Sequence, residues 1–160
     1  MKNEMTIEDV AACLDGVGLQ YLATIGLDGR PKVRPVQFMV LLGGKLWFCT
    51  NSEKAMYAEL RASPFAELCG CRPREDEIAS DWIRMSGEAV FPPESDETRA
   101  VKEAIVRKSA IVRELYKGAV DSPIFKVFHL ANVRGALCNL GRVKGLENRP
   151  GFAEPAEFAF

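Results

Sequence analysis

The sequence predicts one mainly β domain of the α+β class, with a few helices set among antiparallel strands. Short apolar runs recur along the chain with Gly, Pro, Asn and Asp between them, the spacing of an antiparallel sheet. Two of the connections, Asp28-Gly29 and Gly43-Gly44, are hairpin signals. One helical segment falls after three consecutive strands, where a parallel sheet would alternate helix and strand throughout; this order points to a barrel or sandwich. With 160 residues, 48% hydrophobic and 27% charged, the chain supports one core.

The elements follow in order. Ile7, Val10, Ala11 and Leu14 recur at helical spacing behind Thr6, which can cap the first turn. Residues 21–25 read as a strand, residues 27–31 as its turn, and residues 33–42 as one returning strand. Beyond the paired glycines, residues 46–50 form a third strand. Helix formers fill residues 52–62 until Pro64 forbids continuation. Residues 65–71 resume β structure, and residues 73–77 are a polar loop. Residues 82–90 alternate, with Trp82, Arg84, Ser86 and Glu88 on the wetter face. Residues 95–117 read as helix with a break near Ser109, and residues 125–130 and 133–138 complete the strands. Residues 1–140 are thus expected to form a single domain, and residues 141–160, which lack periodicity, a C-terminal tail.

Charge and cysteine usage narrow the function classes. Lys and Arg total 21 against 22 Asp and Glu, a formal net charge of -1, so no global field draws polyanions and no nucleic-acid partner is expected. No stretch has the length or apolarity of a membrane span or secretory leader, and a cytoplasmic location is expected. Cys13, Cys49, Cys69, Cys71 and Cys138 are odd in number and scattered, as reduced cysteines are. Cys69 and Cys71 share a strand face, but no second pair or histidine completes a zinc site, so no metal is expected.

The richest site candidate is Thr50-Asn51-Ser52-Glu53-Lys54, where a strand delivers the chain into a helix. Free amides and the helix dipole favour an anion there, and Lys54 adds a full charge. The same residues also spell a capping box, Thr50 to the amide of Glu53 and back, which requires no ligand. Arg34, on the strand expected to pair through Gly43-Gly44 with the one ending at Thr50, could bind the same anion bidentately. Pro35 within Arg34-Pro35-Val36-Gln37-Phe38 removes a ladder donor and marks an edge or bulge; backbone groups of residues 35–38 would then be free for a flat heterocycle, or simply form an unliganded edge.

In its order of motifs, Tyr21-Leu22-Ala23-Thr24-Ile25, Asp28-Gly29-Arg30-Pro31, Val33-Arg34-Pro35, Gly44-Lys45-Leu46-Trp47-Phe48-Cys49-Thr50-Asn51, Lys54, Leu60, Pro64, Trp82-Ile83-Arg84 and Gly87-Glu88-Ala89, the sequence resembles the pyridoxamine 5'-phosphate oxidase-like FMN-binding split barrels. Within them it is most similar to the 5-nitroimidazole resistance branch. The resemblance spans roughly residues 19–91 and, more weakly, 123–140. It implies a six-stranded antiparallel Greek-key split barrel whose homodimer holds FMN between subunits. By that match Arg34 and Lys54 would bind the phosphate together with Thr50, Asn51 and Ser52. Pro35, Val36 and Gln37 would line the isoalloxazine ring, and Trp82 and Arg84 would reach it from the partner subunit.

Two departures speak against vitamin B6 oxidation: Glu53 stands where the oxidase branch has a second basic residue, and the C-terminal arginine and tryptophan pattern is missing from residues 123–160. The implied activity is an FMN-dependent oxidoreductase that takes electrons from NADH or NADPH and passes them to a small flat acceptor such as a nitroaromatic or quinone. The alternative is a non-catalytic flavin store, or a binder of deazaflavin F420 or haem. No catalytic residue is identifiable. His129, the sole histidine, reads as a partly buried core or interface residue, with proton donation to a flavin as its other reading. Cys49, Trp47 and Phe48 read as packing.

Overall fold

The computed structural model describes residues 5–72, 81–139 and 155–160; the loop expected at residues 73–77 lies outside them. Helix α1 (Ile7–Val17) opens on the expected cap: Thr6 accepts from the amide of Asp9, and Asp9 accepts from the amide of Thr6 at 2.9 Å. Its Val10, Ala11 and Leu14 are buried. Strands β1 (Gln20–Ile25) and β2 (Pro31–Val36) form a hairpin. Strands β3 (Val40–Leu42) and β4 (Lys45–Asn51) form a second, turning on Gly43 and Gly44, both at positive φ as such a turn requires. Helix α2 (Ala55–Ala62), β5 (Phe65–Cys71) and β6 (Asp81–Val90) follow. The expected long helix is two, α3 (Asp96–Lys108) and α4 (Ala110–Leu115). Ser109 ends one and caps the other, its hydroxyl accepting from the amide of Val112.

The segment 33–42 is not one strand. Its first half, β2, pairs with β1, and its second half, β3, pairs with β4. The change of partner is fixed at residues 37–39: the Phe38 amide donates to the Gln20 side chain at 2.7 Å, and the Met39 amide to the Trp47 carbonyl at 3.0 Å. In the other direction, residues 125–138 form one long strand, β7 (Phe125–Asn139), instead of two. Asn132 (φ 52°) lies where the pairing with β6 slips by one, opposite Gly87. The end of the expected tail is also paired: β8 (Ala156–Ala159) lies on β7, with Phe158 in the core.

The strand order is β2-β1-β5-β6-β7-β4-β3. Both edges belong to consecutive segments joined by three residues, so the sheet curls back on itself without closing its ladder: a split barrel. Leu22, Phe48, Leu68, Ile83, Met85 and Phe128 fill its interior, with Leu14 of α1 and Met56 and Leu60 of α2 packed against them. A second core lies under α3 and α4, where Val101, Ile105 and Val112 cover Trp47, Phe125 and Val127. Gln20, fully buried, ties these parts together, since its amide donates to the carbonyls of Leu14 and Gly18 while its oxygen takes the Phe38 amide. Among the described residues no helix is long and apolar enough to cross a membrane.

Candidate functional site at the start of helix α2

Strand β4 carries Thr50 to the end of the barrel, and residues 51–54 turn the chain into α2. The capping box does not form. The Glu53 amide donates instead to the Asn51 side-chain oxygen at 2.7 Å, the Thr50 hydroxyl is buried without a partner, and Lys54, at the N-cap, offers no side-chain bond. The first amides of α2 are therefore left uncapped by any side chain, with the positive dipole end and the exposed Lys54 ammonium beside them. Asn51 and Ser52 are half-buried at the same turn. Because the Thr50 hydroxyl has no solvent exposure, a ligand would reach it only after a side-chain rotation.

The neighbouring ionisable groups just behind this turn are half-buried. Burial pushes the Cys49 thiol up to about 11, opposed by the nearby Lys54 charge. Burial also raises the Tyr116 hydroxyl, with Cys49 adding to the effect and a hydrogen bond with Asn51 opposing it. Tyr116 stacks on Phe125 and donates to the Thr50 carbonyl at 3.3 Å. Cys49 is thus a packed, protonated thiol at neutral pH.

Arg34 does not lie on the strand paired with β4, as the sequence suggested, because β2 pairs with β1 alone. It reaches α2 from that side: its Nη2 meets Glu59 Oε2 at 2.6 Å and Thr24 Oγ1 at 3.0 Å, and Thr24 donates to the same Glu59 oxygen at 2.7 Å. Neither Glu59 nor Thr24 was singled out in the sequence. The available signal was an acid on the apolar face of a helix, Glu59 between Met56 and Leu60, which demands a buried partner.

Pro35 and Val36 are on the expected edge strand and Gln37 is exposed just beyond it, but the Phe38 amide is taken by Gln20 and is not free for a heterocycle. Trp82 and Arg84 are elsewhere. Trp82 pairs with Cys138 near one end of β7 and Thr50 with Lys126 near the other, at most about 40 Å apart along a strand that bulges at Asn132. Arg84, exposed, bridges Glu67 at 3.0 Å, and the Trp82 indole nitrogen is buried without a partner. One chain therefore gathers residues 50–54 at α2 and brings Arg34 to the same helix, while Trp82 and Arg84 sit on β6, against the far end of β7.

His129 is half-buried edge-on to Trp47 with ring centroids 4.9 Å apart, and burial lowers its pKa. Among the described residues no group of three or more His, Cys, Asp or Glu could hold a metal ion.

The family profile described as pyridoxamine 5'-phosphate oxidase matches residues 6–137. The chain belongs to this family. No curated protein matches it in sequence. Among solved structures it is similar to a NimC/NimA family protein from Clostridium acetobutylicum, at 24% identity and TM-score 0.76, covering 96% of this chain and 92% of that one. A pyridoxamine 5'-phosphate oxidase-related, FMN-binding protein from Nostoc punctiforme is 18% identical with a TM-score of 0.60, over 96% and 95%. A heme binding protein from Mycobacterium smegmatis is 26% identical with a TM-score of 0.65, over 82% of this chain and 54% of that one.

Proposed function

We propose that this protein is an FMN-dependent oxidoreductase of the kind suggested by its likeness to NimC/NimA proteins, passing electrons from NADH or NADPH to a small flat acceptor such as a nitroaromatic or quinone. The observation that carries the reading is the start of α2: a helix N-terminus without a side-chain cap, Lys54 at the cap position, and a buried Thr50 hydroxyl lacking a partner. That donor set suits a phosphate dianion. FMN, when bound, supplies the redox chemistry. Lys54 and the turn 50–52 would anchor the phosphate, and Pro35, Val36 and Gln37 on the open edge would flank the ring system.

The distance between Thr50 and Trp82 along β7 favours a homodimeric site, in which Trp82 and Arg84 of a second copy would complete the cleft. Exposed Tyr21, Ile25, Val33 and Phe65 on β1, β2 and β5 give the sheet an apolar outer surface fit for such a copy. Cofactor binding and dimerisation would then stabilise each other.

A second reading, a haem or deazaflavin F420 binder without turnover, is favoured by the heme binding relative from M. smegmatis. The visible spectrum of the purified protein and titrations with FMN, riboflavin and haem separate the two. FMN binding that weakens about tenfold or more in Lys54→Ala, with riboflavin binding unchanged, supports the phosphate site. Reduction of the loaded protein by NADH or NADPH and reoxidation by a nitroaromatic supports the activity. A protein that binds haem and ignores FMN overturns both.

A further inference from the structure

On the side of α2 away from Arg34 lies a cavity of about 360 Å³ that contains none of residues 34–37 or 50–54. Tyr57 and Arg61, at positions i and i+4, share the helix face that lines it. Glu59, two residues from each, points about 200° round the helix, toward Arg34. Phe91 and Pro92, just beyond β6, give it apolar lining, and Lys126 of β7 lines it as well.

Three residues that line this space, Arg61, half-buried Lys126 and Tyr57, carry side-chain donors without a partner among the described residues. The carboxylate on the rim, Glu94, is held by buried Lys102 at 2.7 and 2.9 Å and does not neutralise them. Two residues bearing unpaired cations thus line one cavity in a chain whose formal net charge is -1. The apolar part of the lining is rigid. The Phe91 ring is fixed edge-on to Tyr57, with centroids 4.9 Å apart, and leans on Phe128 at 5.1 Å, while Pro92 and Pro93 restrict the backbone beside it.

We infer that this cavity is a second binding site, for a small aromatic monocarboxylate. The planar Arg61 fork matches a carboxylate, Lys126 adds a point charge and the Tyr57 hydroxyl a neutral donor. Phe91 and the two prolines take the ring. The volume lies at the low end for ligand pockets, room for a single substituted ring and too little for a nucleotide cofactor.

Amide NMR titration with benzoate, benzamide and inorganic phosphate tests the assignment on the full chain. Millimolar benzoate should shift the signals of Tyr57, Arg61, Phe91 and Lys126 saturably. Benzamide, without the charge, and phosphate, without the ring, should each bind at least about tenfold more weakly. Arg61→Gln and Lys126→Gln should each weaken benzoate about tenfold. Arg61 is exposed, so R61Q keeps the fold and carries the test by itself if K126Q does not. Absence of saturable shifts at these residues, equal binding of benzamide or phosphate, or unchanged benzoate affinity in R61Q would overturn the site.

Discussion

Arg34 of β2 and Glu59 of α2 form an ion pair at 2.6 Å, with side chains only 23% and 7% exposed, and Thr24 hydrogen-bonds both partners. A largely buried pair is costly to break because the surviving charge is stranded. Glu59→Gln should therefore destabilise the fold by about 3 kcal/mol, the low end of the usual range since Arg34 keeps some solvent. Arg34→Met combined with Glu59→Leu should cost less than Glu59→Gln alone. Urea midpoints of the single and double variants check this; a double variant less stable than E59Q would show that the pair contributes more than compensation.

The Thr50 hydroxyl leads to the opposite expectation. A buried hydroxyl without a partner has been desolvated for nothing, so Thr50→Val, similar in shape, should leave stability unchanged or raise it by up to about 1 kcal/mol. If the start of α2 binds a phosphate, the same variant should also weaken FMN relative to riboflavin. Thermal unfolding without ligand and the two titrations measure the effects separately.

Local chemistry was legible in the sequence, and changes of partner were not. Thr6 and Ser109 act through side chains that cap the adjacent turn, Gly43-Gly44 and Pro64 through their own backbone, and each marks a boundary in the structure. The split of residues 33–42 into β2 and β3 was not located by the pattern: Pro35 marks an edge, but Phe38 to Leu42 is an unbroken apolar run that does not show where the neighbouring strand changes from β1 to β4. Residues 125–138 gave the reverse error: Ala131-Asn132 interrupts the apolar pattern, but Asn tolerates a left-handed backbone and the strand continues through a bulge. The candidate site was half legible for the same reason. Residues 50–54 are contiguous and read directly, whereas the placing of Arg34 against Glu59 depends on which strand β2 joins.

Cys49 should make the protein lose stability at alkaline pH. Its thiol is raised to about 11 from an ordinary value of 9.0, so the folded state holds the proton more tightly than the unfolded chain. That contribution is complete below about pH 9 and is lost as pH rises toward 11. Cys49→Ala should shrink the alkaline loss by about 2–3 kcal/mol, as read from denaturation curves at stepped pH. At pH 8 a thiol reagent should modify exposed Cys69 and Cys71 rapidly and the partly exposed, protonated Cys49 far more slowly until the protein unfolds.

His129 should act at the acid end. Burial beside Trp47 lowers its pKa below 6.5, and the Lys45 charge adds to the shift, while a backbone hydrogen bond at Leu130 and the Glu97 charge oppose it. A depressed histidine binds its proton less readily when folded, so its contribution to stability is present above pH 6.5 and falls away as pH drops through the folded value. As the sequence contains one histidine, its ring-proton resonance titrates without overlap. The midpoint should lie below 6.5 in the folded protein and return to about 6.5 in urea. His129→Gln should flatten the stability profile over the same acid window; a folded midpoint above 6.5 would mean that Glu97 and the backbone bond outweigh burial, and the variant should then become relatively less stable toward acid.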